Sequence, residues 1–179
     1  VTPRRGAWIG AALCAVIALA ASGQSVAPTQ RDDLVGAWRL VTIDVRGPQG
    51  AEPDPFYGHG SEGLLIYERT GWFSVQIMSG PRPALEVPAA RPERPGGRDG
   101  SAKEAALDTY YAYYGTWSFD PTTSTVTHRA TGALYPAEQH ATYSQRVQVE
   151  GSRMTFTRTQ GIPPHQTVQT KVWERVAAP

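Results

Sequence analysis

Cysteine is almost missing from this chain: among 179 residues there is one, Cys14, inside an apolar run near the N-terminus. Without that run no thiol remains, which excludes disulfides, thiolate metal sites and cysteine nucleophiles from the rest of the protein. An excess of one charge is also lacking, with 17 Lys and Arg against 16 Asp and Glu. No basic run is interleaved with aromatics, so nucleic acid, whose phosphates call for concentrated positive charge, is not expected as a partner. The four histidines, His59, His128, His140 and His165, form no HxH or HxxxH pair, so neither a metal nor a cofactor is expected. Gly-x-Ser-x-Gly elbows, P-loops and dinucleotide fingerprints are absent as well.

Long apolar runs are few. The one near the N-terminus, Ala7 to Ala21, is about 15 residues long, short of the roughly 20 that a membrane-spanning helix requires. Arg4-Arg5 precede it and small residues follow it, the pattern of a secretory signal peptide with cleavage near Ala20 or Gly23. Leu13 before Cys14 argues against lipidation there. Residues 1–30 are therefore expected to be signal peptide and short linker, and residues 31–179 one domain. Loss of Arg4 and Arg5 leaves 15 basic against 16 acidic residues. The mature protein is expected in the periplasm or outside the cell, with no stable membrane insertion.

Helical periodicity is scarce too, whereas period-two segments separated by turn residues recur, the all-β signature. Expected strands run from Ala37 to Arg46, Gly63 to Arg69, Trp72 to Met78, Tyr113 to Phe119, Thr125 to Ala133, Ala141 to Val149, Arg153 to Thr159 and Thr167 to Val176. Thr70-Gly71 marks the clearest hairpin. Gly80 to Gly100 holds five prolines, four arginines and four glycines, too little apolar surface to order itself, and is expected as a long exposed loop. After it Ser101-Ala102-Lys103-Glu104 reads as a capping box, opening a short helix between strands 3 and 4 that ends near Tyr111. Eight antiparallel strands suffice for an up-and-down β-barrel whose interior holds one small ligand.

Five ordered segments carry a resemblance: Leu34-Val35-Gly36-Ala37-Trp38-Arg39-Leu40; Leu64-Leu65-Ile66-Tyr67 with Gly71-Trp72-Phe73-Ser74; Tyr113-Tyr114-Gly115-Thr116-Trp117; Val126-Thr127-His128; and Val172-Trp173-Glu174-Arg175. Together they resemble the lipocalin-like domain family of bacteria and fungi, calycin-type barrels, over Leu34 to Val176. Tyr114 stands where that family commonly has Cys, and the Pro-rich insertion is longer than its members suggest. The resemblance implies a barrel with a binding cavity and no particular reaction.

Strand alternation nominates residues that share a face. Trp38, Leu40 and Thr42 align in the first strand; Lys171, Trp173 and Arg175 align in the last. Trp38 and Arg175 are expected to meet where the barrel closes, as a cation-π pair with a structural role. His128 is expected to face inward, as a hydrogen-bond anchor or, in an enzyme, as general acid or base. The hydroxyl-rich aromatics suit the walls of a cavity. The candidate ligand contacts are Tyr67, Tyr113, Trp117, His128 and Tyr135, with Arg146 a carboxylate anchor if it points inward. The first functional reading is non-covalent binding of a small hydrophobic or amphipathic molecule. The others are an isomerase, cyclase or hydrolase on the same barrel, and an envelope or stress protein whose barrel is filled by its own side chains.

Overall fold

A computed structural model describes residues 27–80, 82 and 100–177. The expected signal peptide and most of the Gly80 to Gly100 loop lie outside the described residues, as does the side chain of Ser101 in the expected capping box. Thr29, in the expected linker, is buried, and its hydroxyl accepts a hydrogen bond from the Val149 backbone.

The described residues form nine antiparallel strands: β1 (Gly36–Gly47), β2 (Gly50–Pro53), β3 (Glu62–Tyr67), β4 (Trp72–Met78), β5 (Tyr110–Asp120), β6 (Thr125–Ala133), β7 (Thr142–Glu150), β8 (Arg153–Gln160) and β9 (Thr167–Arg175). From β3 to β9 each strand pairs with the next, and β1 pairs with both β3 and β9, so eight strands close into a barrel. Closure leaves no free edge in that ring. β2 is the addition. Its turn residues Gly50 and Pro53 give no strand signal, and it is absent from the eight expected strands, yet it continues the sheet beyond the end of β1, pairing Gly47 with Gly50 and Asp44 with Pro53.

That extra strand corrects the expected place of the helix. α2 (Gly100–Asp108) lies between β4 and β5, not between strands 3 and 4, and it stops short of Tyr111 because Tyr110 already pairs with Met78 in the sheet. A single helical turn, α1 (Arg31–Leu34), precedes β1.

Alternate residues fill the interior: Leu65 and Tyr67 from β3, Phe73, Val75 and Ile77 from β4, Tyr113 and Trp117 from β5, Val126, His128 and Ala130 from β6. Val147, Met154, Phe156 and Trp173 complete the ring from β7, β8 and β9. In β1 the alternation slips. Trp38 and Leu40 are buried, but the next inward residue is Ile43, and Thr42, expected to align with them, is exposed. The register against β9 shifts between Leu40 and Thr42, so a bulge at Val41 inserts one residue and reverses the faces beyond it.

One end of the barrel is sealed. Leu34 of α1 is fully buried, its carbonyl accepts the Trp38 indole N–H at 2.8 Å, and Trp38 is itself fully buried. Arg175 lies over the Trp38 ring and donates to the carbonyls of Val35 and Asp33. Arg31 stacks on Trp117 and donates to the Arg69 carbonyl, and Arg69 pairs with Asp32, tying α1 to the β3–β4 hairpin. The Trp117 indole N–H donates to the Glu68 carbonyl, which places it in this floor.

Candidate functional site

Above the floor the interior opens into a cavity of about 140 Å³. Its inner wall is apolar on one side, with Leu65, Val75 and Ile77 from β3 and β4, and Phe156 from β8. Tyr57, Tyr111, Tyr113 and Tyr143 supply hydroxyls, while β8 and β9 supply Arg158, Gln169, Lys171 and Trp173.

His128 sits at the boundary between floor and cavity. Its Nε2 is 2.5 Å from the Tyr67 hydroxyl and its Nδ1 2.9 Å from the Tyr113 hydroxyl, and Phe73 stacks on the ring. Burial, then the nearby Lys171 ammonium, lower its pKa to about 3, so the imidazole is neutral at physiological pH. A neutral ring has one N–H and one bare nitrogen, so one tyrosine donates to it and the other accepts from it. Tyr67 is buried in the floor, where a proton not given to His128 would have no acceptor; Tyr113 lines the cavity. Satisfaction of every buried group therefore assigns Tyr67 O–H as donor to Nε2 and Nδ1–H as donor to Tyr113. The Tyr113 proton is then left to point into the cavity. Burial raises the pKa of Tyr67 and Tyr113 above the ordinary phenol value, keeping both hydroxyls protonated.

Lys171 projects into the same space. Burial lowers its pKa to about 8; the Asp54 carboxylate opposes that shift and Arg158 adds to it. Asp54 is buried at the rim and already engaged: its Oδ1 accepts from the backbone N–H groups of Phe56 and Tyr57, and its Oδ2 from the Gln169 amide. The ion pairs among the described residues, Arg39–Glu174 and Arg69–Asp32, are exposed and distant from the cavity. Among the described residues neither Lys171 nor Arg158 has a carboxylate at ion-pair distance, and the buried Trp173 indole N–H has no acceptor.

Of the residues nominated from sequence, Tyr113 and His128 line the cavity, and Tyr67 supports His128 from below. Trp117 belongs to the floor. Tyr135 is half-buried, and its hydroxyl donates to the Leu107 carbonyl beside α2. Arg146 is exposed on the outer face of β7 because Val147, its neighbour, takes the inward position; the inward anchor considered for it is corrected. Trp38 and Arg175 meet as expected, at 4.1 Å from guanidinium carbon to ring centroid. The cavity residues that sequence reasoning did not nominate include Arg158, Lys171 and Trp173. Lys171 and Trp173 had a signal in their shared face with Arg175. No group of His, Cys, Asp and Glu among the described residues is arranged to hold a metal.

Comparison with curated proteins returned no match. A family profile described as a lipocalin-like domain matches residues 35–176, from the residue before Gly36 to the one after Arg175. That span contains the whole closed barrel and every residue lining the cavity, and the chain belongs to the lipocalin-like domain family.

Proposed function

We propose that this protein is exported and binds one small amphipathic molecule, non-covalently, in the barrel interior. The observation that carries this reading is the cavity of about 140 Å³ with an apolar wall and a polar one. A barrel filled by its own side chains would leave no such space. A cavity of about 150 Å³ in another protein interior admits benzene, so the ligand is of single-ring or short-chain size unless the rim tyrosines move. Sites of this kind combine apolar walls with a few placed polar groups that fix orientation.

Native mass spectrometry of protein purified from its own source tests the binding reading. A stoichiometric small-molecule adduct lost on denaturation is the expected result, and a consistently empty protein counts against it. Export rests on Arg4-Arg5 and the apolar run that follows. N-terminal sequencing of the natural product is expected to find it beginning after Ala20 or Gly23; retention of Val1 in the cytoplasmic fraction would remove that part of the proposal.

A second reading, an enzyme, has one observation in its favour: the Tyr67–His128–Tyr113 chain ends at a hydroxyl proton facing the cavity. Both nitrogens of His128 are engaged, so the group meeting a substrate is Tyr113: as Tyr113 gives up its proton, the Nδ1–H of His128 can replace it and the Tyr67 O–H can in turn protonate Nε2, leaving the charge on the Tyr67 oxygen. Unchanged turnover of an identified substrate after Tyr113→Phe would eliminate this route.

A further inference from the structure

We infer that the occupant of the cavity is a small monocarboxylate, its anionic head held by Lys171, Arg158, the Trp173 indole N–H and the Tyr113 hydroxyl. This rests on the binding reading above and specifies its ligand class.

Two neighbouring inward positions carry cations. In the β8–β9 register Lys171 lies opposite Phe156 and Arg158 opposite Gln169, so the two are diagonal neighbours on one wall. Diagonal pairs on one sheet face lie within reach of each other's long side chains. Lys171 is partly buried while Arg158 is exposed to solvent, so Lys171 is the cation that gains most from a partner inside the cavity. No carboxylate is among the described residues lining the cavity: Asp54, whose charge acts on Lys171 from outside the lining, is hydrogen-bonded to the Phe56 and Tyr57 backbone and to Gln169, and Glu138, whose Oε2 is buried without a partner, stands by Tyr111 and Tyr143. His128, the other titratable neighbour, is neutral and supplies no negative charge.

Trp173 points to a ligand independently. Its indole N–H is a strong donor, 1% exposed, with no acceptor among the described residues, and it lines this cavity. Buried donors are ordinarily satisfied, and one left open at a cavity wall marks the place of an acceptor. Tyr113, across from it, also has a hydroxyl proton free for the cavity. Lys171 and two neutral donors meet at a space whose described lining holds no carboxylate, with the exposed Arg158 beside them, and a ligand carboxylate has two oxygens with lone pairs for all of them. The facing Leu65, Val75 and Ile77 wall accounts for the remainder of the ligand, which is apolar. At about 140 Å³ that remainder is no larger than a ring or a short chain.

The test uses benzoate as probe, with benzamide and benzyl alcohol as neutral isosteres and benzylamine as the opposite charge, titrated into the isotope-labelled protein at pH 7. Calorimetry gives the affinities and the Trp173 indole N–H resonance reports the site. Benzoate is expected to bind at least tenfold more tightly than benzamide and to move that resonance. Lys171→Met and Arg158→Gln are each expected to weaken benzoate at least fivefold and leave benzamide unchanged. Thermal melts of both variants show that they remain folded. Equal affinity for benzoate and benzamide, or preference for benzylamine, overturns the carboxylate while leaving interior binding in place. Failure of every probe to move any cavity resonance overturns both.

Discussion

Arg175 lies face-on over Trp38, 4.1 Å from guanidinium carbon to ring centroid, and the same guanidinium donates to the carbonyls of Val35 and Asp33. Residues 137 positions apart thus close the barrel seam, cover its floor and satisfy the carbonyls that α1 exposes at its C-terminal end. Trp38→Ala removes a fully buried ring from this arrangement and is expected to cost about 3–5 kcal/mol. Urea unfolding measures it. Because Trp38 does not line the cavity, any variant protein still folded should bind ligand with little change.

Gly36 allows the contact. Its φ of +127° is one that residues with a side chain rarely adopt, and a Cβ there would stand 3.0 Å from Arg175 Nη1. Gly36→Ala is expected to destabilise by about 1–3 kcal/mol. A melting temperature equal to that of the natural protein would show the floor to be more compliant than this geometry implies.

His128 sets an acid limit on stability. Its pKa falls from the ordinary value of about 6.5 to about 3 in the native state. Between those values the unfolded chain binds the proton and the native one does not, so stability is full above about pH 6.5 and is lost as pH falls toward 3. At about 1.4 kcal/mol per unit the full loss is on the order of 5 kcal/mol. Chemical denaturation from pH 7 to pH 4 should show this decline. His128→Gln should flatten it, and an equal slope in the variant would assign the loss to other groups.

Lys171 is expected to reduce stability in the unliganded protein. Its native pKa of about 8 lies below its ordinary 10.5, so the unfolded chain holds the proton more tightly and stability should rise as pH climbs from about 8 to 10.5. At pH 7 the charged form is penalised, and Lys171→Met is expected to stabilise by about 1–3 kcal/mol. Differential scanning calorimetry distinguishes this from a lysine contributing to the fold, whose removal would lower the melting temperature.

The same proton governs binding of an anion. Affinity for benzoate should be full below about pH 8 and decline above it as Lys171 loses its charge. A flat profile to pH 10 would take Lys171 out of the site.

The barrel was legible because inward residues recur at period two along single strands, as Leu65 and Tyr67 or Phe73, Val75 and Ile77 do, and burial on one face writes that pattern directly. β2 was not, since Gly50 and Pro53 are turn chemistry and only the partner strand makes them sheet. The bulge at Val41 was equally hidden: it is a register event between β1 and β9, and Thr42 and Ile43 are both acceptable on either face. In the site, parity placed His128 inward and put Lys171 with Trp173. A lysine at an inward position still reads as a surface residue, because its long stem ordinarily carries the charge to water. Arg146 and Arg158 look alike in sequence; only the buried neighbours, Val147 beside the first and Phe156 two residues before the second, tell which one faces the cavity.

Among the described residues, the single turn at Arg31–Leu34 closes one end of the barrel and leaves it a vessel open at the other. A molecule leaves by the way it came, past Tyr57, Tyr111 and Tyr143, and a competitor has no second door through which to displace it. Exchange then proceeds one molecule at a time, at a dissociation rate independent of how much competitor waits outside.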